Sequence, residues 1–115
     1  MSQPLALVTG VGPGTGSAIV RRLAAGGYRV AMLARNGERL ASLEREIANA
    51  KAYACDVTDE QQLDRTVAAL QSELGMPSVV VHNAVGGAFG TFQEIDPQIL
   101  ERNFQVNVMA FLHLV

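Results

Sequence analysis

A strand-like run, a glycine-rich turn and a helical pattern follow one another near the start of the chain, and this order constrains the fold more than any other feature. Residues 5–9 are Leu-Ala-Leu-Val-Thr, the composition of a strand that is buried on both faces. Glycines occupy alternate positions over the next seven residues, at Gly10, Gly12, Gly14 and Gly16. A helix that begins there presents unpaired N–H groups and a positive dipole end, so the sequence predicts that a phosphate-bearing ligand binds over residues 12–16.

The spacing of these glycines distinguishes between known phosphate-binding turns. The fingerprint Gly-x-Gly-x-x-Gly does not occur, and the Gly-Lys-Ser/Thr of a P-loop is absent. The pattern is instead Thr-Gly-x-x-x-Gly-x-Gly, which resembles the cofactor-binding turn of the short-chain dehydrogenase/reductase family. The alternative is a tight strand-to-helix turn without a ligand, but four glycines are more than such a turn requires. The resemblance implies that the cofactor contacts Gly10, Gly12, Pro13, Gly14, Thr15 and Gly16.

Composition indicates one small globular domain over residues 1–115, with 49% hydrophobic and 17% charged residues. Nine basic and eleven acidic residues leave a net charge of −2, so neither nucleic acid nor an anionic membrane is expected as a main partner. Cys55 is the only cysteine, which excludes an intrachain disulfide, and residues 1–4 leave no room for a signal peptide. We therefore expect a cytoplasmic protein. No apolar run approaches the ~18 residues of a membrane span, and no metal site is predicted.

Short apolar runs alternate with helical patterns along the chain, which predicts a parallel sheet with right-handed crossovers. The predicted strands are residues 5–9, 29–34, 52–55 and 79–81. The predicted helices begin at Thr15, after Asn36, at a capping box over residues 58–61, and at Asp96-Pro97 after a loop at residues 86–90. We expect an α/β, Rossmann-like, doubly wound fold with strand order 3-2-1-4, incomplete at its C-terminal side. Its ligand crevice would lie at residues 10–16 and 83–86.

Arg35 directly follows the second predicted strand, at the place that usually meets the adenosine ribose of a dinucleotide. An acidic side chain there would bond the free 2′-hydroxyl of NAD, but no carboxylate occurs before Glu38. Arginine suits the 2′-phosphate of NADP, so we predict that NADP is preferred over NAD. The alternative is a solvated surface arginine. Pro13 and Thr15 depart from the family, in which many NADP-using members have a basic residue at the first position and an aliphatic residue is usual at the second.

Two further strand ends carry residues of the family pattern. Asp56 and Val57 follow the third predicted strand, where the resemblance implies a contact to the adenine amino group. Alternatively, Asp56 caps the turn before Thr58. After the fourth strand the family reads Asn-Asn-Ala-Gly, of which Asn83 and Ala84 are retained. The resemblance implies that Asn83 ties neighbouring strands together and lines the ribose on the nicotinamide side.

His82 and Asn107 are the remaining polar candidates. His82 stands where the family has its first asparagine, and we expect it to pack at the strand end rather than to act as a base. Asn107 lies in the last predicted helix, where asparagine is locally unfavourable. The resemblance implies a catalytic role for Asn107, which would hold a water molecule of a proton relay. The alternative is an exposed polar position.

The groups that transfer protons in the family are absent from these 115 residues. Family members move a hydride between a nicotinamide and a carbonyl or alcohol, using a tyrosine as general acid/base, a lysine four residues later and a serine. Here the only lysine is Lys51, and neither Tyr28 nor Tyr53 has a lysine at the fourth following position. Two classes of function stay open. One is the NADP-binding half of an oxidoreductase, inactive by itself; the other is a non-catalytic nucleotide-binding or protein-interaction module.

The last strand and the last helix are unusually apolar for surface elements. Residues 79–81 are three valines, without the charge or proline that protects a sheet edge. The helix carries Leu100, Phe104, Val108, Phe111 and Leu112. Because monomers rarely expose such patches, we predict a homo-oligomer, aggregation, or dependence on a missing C-terminal half.

Overall fold

A parallel sheet forms the centre of the computed structural model, which describes residues 3–85 and 91–115. Its strands are β1 (Leu5–Thr9), β2 (Arg29–Ala34), β3 (Ala50–Ala54) and β4 (Val79–His82). They pair in the order β3-β2-β1-β4, so the predicted strand order is confirmed. β1 lies between β2 and β4, with Leu7 opposite both Ala31 and Val80, and all five of its residues are buried.

Helices cover both faces of this sheet, as the doubly wound fold requires. They are α1 (Thr15–Ala25), α2 (Gly37–Glu46), α3 (Glu60–Leu74) and α4 (Pro97–Phe104), which continues through a π-helical turn (Gln105–Met109) into α5 (Ala110–Leu114). Val8 of β1 packs with side chains of α1 and α2, whereas Leu5 and Leu7 pack with those of α3 and α5. Because side chains alternate along a strand, a wholly apolar strand needs a helical layer on each face.

The predicted N-terminal caps of α2 and α4 are confirmed. Oδ1 of Asn36 accepts the N–H of Arg39 at 3.1 Å, and Oδ1 of Asp96 accepts the N–H of Gln98 at 2.9 Å. Pro97 occupies the first turn of α4, where its missing N–H costs no helical bond. These side chains satisfy donors that a helix leaves unpaired at its start.

The predicted capping box at residues 58–61 is wrong by one residue. Asp59 caps α3, because its Oδ1 accepts the N–H of Gln62 at 3.1 Å. Thr58 is engaged elsewhere, since its hydroxyl donates to Oδ1 of Asp56 at 2.7 Å. The local pattern contains two adjacent capping residue types, and the turn after β3 decides between them.

Three predicted strand boundaries are also wrong. β3 begins at Ala50 rather than residue 52, because Ala50 pairs with Val30 of the neighbouring strand. Cys55 lies just after β3, although its N–H still donates to a β2 carbonyl at 2.9 Å. β4 includes His82, one residue beyond the predicted end. The predicted loop at residues 86–90 lies outside the described residues.

The last predicted helix contains a π-helical turn rather than one uninterrupted α-helical pattern. α5 follows this turn and packs against α3, where Ala110 is buried in the same cluster as Leu63 and Leu70. Neither this helix nor any other within residues 3–85 and 91–115 has both the length and the hydropathy needed to cross a membrane.

Candidate functional site

A cavity of about 440 Å³ opens at the carboxyl ends of the four strands. Its walls are formed by residues 10–12, 33–36, 55–58 and 83–85, together with Arg39 of α2 and with Arg102, Asn103 and Val106 of α4 and the π-helical turn. Of the predicted crevice at residues 10–16 and 83–86, residues 10–12 and 83–85 line this cavity and residues 13–16 do not, while residue 86 lies outside the described residues. Ligands of open parallel sheets bind at this edge, beside the point where the strand order reverses.

The four motif glycines have two different surroundings. A Cβ atom at Gly10, where φ is +69°, would lie 2.4 Å from the backbone nitrogen of Ala84, and one at Gly16 would lie 2.3 Å from the Gly10 carbonyl oxygen. These two glycines are therefore required by packing alone. A Cβ atom at Gly12 or Gly14 would meet nothing within 4 Å. The open space above these two glycines is where a ligand can approach the backbone.

The N-terminus of α1 begins beside this open space and has no side-chain cap. Its N-cap residue is Gly14, and no acidic residue lies in its first turn. The hydroxyl of Ser17 donates to the Gly12 carbonyl, so it does not cap the helix. The first-turn N–H groups and the positive end of the helix dipole therefore lie beside the open space above Gly12 and Gly14, two residues that have no side chain to fill it. This donor set fits the pyrophosphate of a dinucleotide.

A second, shallower cavity of about 340 Å³ adjoins the glycine turn between α1 and α2. Pro13 and Gly14 line it on one side, and Arg21 and Arg39 line it on others. Thr15 and Gly16 line neither this cavity nor the larger one. The predicted contact residues of the turn are thus distributed over two adjoining spaces.

Three arginines and one carboxylate line the larger cavity. Arg35 and Arg39 approach from the β2–α2 side, Arg102 comes from α4, and Asp56 follows β3. The charged residues that line this cavity are therefore mostly basic, although the chain as a whole has a net charge of −2. The sequence predicted Arg35 but missed Arg39 and Arg102. The position of Arg39 in the first turn of α2, close after Arg35, was the available signal, and none pointed to Arg102.

Asp56 forms the turn that is the alternative to a cofactor contact. Its Oδ1 accepts the N–H of Thr58 at 3.0 Å and the Thr58 hydroxyl at 2.7 Å. Burial tends to raise the pKa of Asp56, but the Thr58 hydrogen bonds and the charges of Arg35 and Arg102 outweigh it, so the pKa lies below its ordinary value. Asp56 is thus a carboxylate that both holds a turn and lines the cavity with Val57.

Asn83 connects the end of β4 to the glycine turn. Its Nδ2 donates to the carbonyl of Gly10 at 3.1 Å, which is the tie between neighbouring strand ends that the sequence predicted. The N–H of Ala84 donates to Oγ1 of Thr9 at 3.2 Å and holds the following residue against β1. Asn83 and Ala84 are half-buried and both line the larger cavity.

Both ring nitrogens of His82 are hydrogen-bonded. Nε2–H donates to the Val106 carbonyl at 2.8 Å, because a carbonyl can only accept, and in the neutral ring Nδ1 then accepts the Thr9 hydroxyl at 2.8 Å. The ring also stacks on Phe111, with centroids 5.6 Å apart. The expected packing of His82 at the strand end is therefore found, and the contact to Val106 joins β4 to the π-helical turn.

Asn107 follows Val106 within that π-helical turn. Asn107 is exposed and does not line the larger cavity, whereas Val106 does. Single π-helical turns inside α-helices are frequent at functional sites. The structure places Asn107 beside the cavity rather than in it.

Neither tyrosine of the chain lines the larger cavity. The hydroxyl of Tyr53, on the edge strand β3, donates to Oε2 of Glu73 at 2.7 Å. Burial, followed by the hydrogen bond to Glu73 and the charge of that carboxylate, raises the pKa of Tyr53 above its ordinary value. Tyr28 packs against buried side chains of α1, β2 and α2. Neither position suits a proton donor at the cavity.

Known proteins share this sequence pattern and fold. The sequence model of the family described as "short chain dehydrogenase" matches residues 4–115. D-erythrulose reductase of Gallus gallus is 34% identical over 109 residues, which cover 95% of this chain and 43% of that protein. The chain thus spans less than half the length of this curated relative.

Two solved structures with bound cofactors resemble the chain closely. A metagenomic short-chain oxidoreductase in complex with NADP has a TM-score of 0.91 and 33% identity, with coverage of 99% of this chain and 54% of that one. A 3-ketoacyl-(acyl-carrier-protein) reductase from Brucella melitensis complexed with NADH has a TM-score of 0.88 and 28% identity, covering 96% of this chain and 47% of that one. Similar structures therefore hold either nicotinamide dinucleotide.

Proposed function

Because the chain belongs to the short-chain dehydrogenase family, we propose that it is the NADP(H)-binding portion of an enzyme that transfers a hydride between a nicotinamide cofactor and a small carbonyl or alcohol substrate. The observation that carries the proposal is the open space above Gly12 and Gly14, beside an uncapped helix N-terminus and an arginine-lined cavity. The relatives compared above are named as reductases and an oxidoreductase, which favours an enzyme over a non-catalytic module.

The described residues suggest how the cofactor would be held. Its pyrophosphate would lie over Gly12 and Gly14, within reach of the first-turn N–H groups of α1 at Thr15 and Gly16. The remaining predicted contacts lie around the larger cavity, with Gly10, Arg35, Asp56, Val57, Asn83 and Ala84 in its wall. Pro13 would contact the cofactor from the adjoining cavity. A bound nicotinamide supplies the hydride donor or acceptor.

A preference for NADP over NAD is part of the proposal. Arg35 lines the cavity just after β2, and the residues around it include no carboxylate in the position that would bond a free 2′-hydroxyl. A guanidinium group matches phosphate oxygens in charge and in geometry. One of the two cofactor-bound neighbours holds NADP and the other NADH, so we infer the preference from Arg35 and not from these neighbours.

Titration of NADP⁺ and NAD⁺ tests this preference directly. Arg35→Ala should weaken NADP⁺ binding by about 1.5–3 kcal/mol, or roughly ten- to 150-fold, and should leave NAD⁺ binding nearly unchanged. Arg45→Ala, at the exposed end of α2, is the matched control because Arg45 lines neither cavity. Equal affinity of the unaltered chain for both cofactors would contradict the preference.

Catalysis would require groups beyond those of this chain. Asn107 is the proposed catalytic residue present here, holding a water molecule next to the cavity. Without a tuned proton donor, the chemical step lacks a contribution of typically ~10²–10⁴-fold. We therefore expect the 115-residue chain to oxidise no NADPH in the presence of carbonyl substrates. Turnover that copurifies with the 115-residue species would overturn this expectation.

Two further properties belong to the proposal. Cys55, the only cysteine, is buried and unpaired, which suits a cytoplasmic protein. The exposed apolar side chains of α4 and α5 support a homo-oligomer or a covering C-terminal segment.

A further inference from the structure

Arg39 lies on the wall that separates the two cavities. It lines the larger cavity together with Arg35 and lines the adjoining cavity together with Pro13 and Gly14. Its backbone is fixed at the start of α2, where its N–H donates to the cap residue Asn36. Arg39 is therefore held at the start of α2, beside both spaces.

Among the described residues, the other arginines around these cavities interact with carboxylates, and the side chain of Arg39 shows no such interaction. Nη2 of Arg21, in the adjoining cavity, forms an ion pair with Glu46 at 2.8 Å. Arg35 and Arg102 line the larger cavity with Asp56, and the charges of both lower the pKa of that carboxyl group. Within residues 3–85 and 91–115, the guanidinium group of Arg39 has no hydrogen bond or ion pair. Arg39 is exposed, so water solvates its guanidinium group in the free chain, and that group is available to a ligand at the cavity wall.

We propose that Arg39 is the second cation of a site for the adenosine 2′-phosphate, in which Arg35 is the first. This inference rests on the proposed binding of a nicotinamide dinucleotide. A phosphate monoester carries about −1.5 to −2 charges at pH 7, so one guanidinium group neutralises it only in part. Two guanidinium groups match its charge and offer paired N–H donors to its oxygens. Arg39 would then determine cofactor choice without contributing to the binding of NAD.

The test measures the affinities of NADP⁺ and NAD⁺ for the 115-residue chain, tethered at low density so that chains do not associate. Four forms are compared: the unaltered chain, Arg39→Ala, Arg39→Lys and Arg45→Ala, the last being an exposed arginine on the same helix. Arg39→Ala should weaken NADP⁺ binding at least tenfold and change NAD⁺ binding less than twofold. Arg39→Lys should restore part of the loss, because it retains the charge and loses the bidentate geometry. Arg45→Ala should change neither affinity.

A second probe separates the 2′-phosphate from the rest of the cofactor. Adenosine 2′,5′-bisphosphate retains this phosphate and lacks the nicotinamide, whereas AMP lacks both. Arg39→Ala should weaken binding of the bisphosphate as much as it weakens binding of NADP⁺, and it should leave binding of AMP unchanged. NAD⁺ binding also shows that each variant is folded, so a selective loss cannot come from unfolding.

The possible results distinguish the two proposals. If Arg39→Ala weakens the binding of NADP⁺ and of NAD⁺ equally, or changes neither affinity, the two-arginine site is wrong and the proposed cofactor binding stands. The same conclusion follows if Arg35→Ala alone removes the whole preference for NADP⁺. If the unaltered chain binds neither cofactor, the proposed function fails and the inference fails with it.

Discussion

Within the sheet, the β2 side and the β4 side of the central strand β1 differ sharply in how completely their residues are buried. On one side of β1, four of the six β2 residues are buried, and α2 and α3 each bury leucines against the sheet. On the other side, no β4 residue is fully buried, and α4 buries none of its eight residues. The large apolar residues left exposed on α4, the π-helical turn and α5 are Ile99, Leu100, Phe104, Val108, Phe111 and Leu112.

Strand position, rather than strand composition, accounts for this difference in burial. Val81 of β4 is as apolar as Val8 of β1, with which it pairs, yet Val8 is fully buried and Val81 only half-buried. β1 has a strand on each side, whereas β4 pairs only with β1 among the described residues. The cavity lies between the two sides, because one wall comes from β2 and α2 and the other from residues 83–85 after β4 and from α4.

The largest expected effect comes from making the same substitution in this pair of valines. Val8→Ala should lower the free energy of unfolding by about 2–3 kcal/mol, because it removes two fully buried side-chain carbon atoms and leaves a cavity. Val81→Ala should cost only about 1 kcal/mol, because that side chain is already partly exposed to water. Urea unfolding of both variants measures the difference. Equal costs would mean that β4 is covered in solution as completely as β1.

The exposed apolar face of α4 and α5 should cause self-association. Phe104→Asp should weaken that association roughly tenfold or more, about 1.4 kcal/mol, because a charge replaces an aromatic ring that is 53% exposed. Sedimentation at micromolar concentration measures the effect. Phe92→Asp is the matched control, since Phe92 is 89% exposed and lies outside these helices. A stable monomer before any substitution would refute the prediction.

Removing the N-terminal cap should lower the free energy of unfolding more at α3 than at α4. Asp59→Ala should lower the free energy of unfolding by about 1 kcal/mol, because α3 is part of the buried core. Asp96→Ala should lower it by less than about 0.5 kcal/mol, because α4 buries no residue and can fray separately. Denaturant unfolding of both variants provides the comparison, and a larger loss for Asp96→Ala would reverse the ranking of the two sides.

The smallest expected effect is a local pH dependence at the turn beside the cavity. Because the pKa of Asp56 is lower in the folded chain than its ordinary value of 3.8, its ionised form stabilises the native turn. That contribution is complete above about pH 5 and is lost as the pH falls through the lower native pKa. The Thr58 amide resonance should therefore titrate with a midpoint below 3.8, and Asp56→Asn should remove the titration. A midpoint above 3.8 would show that burial outweighs the hydrogen bonds.

Features that depend on nearby residues could be predicted from the sequence. The strand, glycine turn and α1 followed from local composition, as did the caps at Asn36 and Asp96. The strand order followed as well, because alternating strands and helices leave few topologies for a parallel sheet. The capping residue of α3 did not follow, because its choice depends on the hydrogen bond between Thr58 and Asp56.

Only the tertiary structure distinguished the residues that share a motif or a charge. Gly10 and Gly16 are packed against backbone while Gly12 and Gly14 face open space, although all four look alike in the sequence. Arg39 and Arg102 lie 63 positions apart and meet at one cavity, because parallel strands bring their carboxyl ends to one edge of the sheet. Periodicity and residue type are local properties and determined the elements. Which side chains surround a common space depends on how those elements pack, and packing is a property of the whole chain.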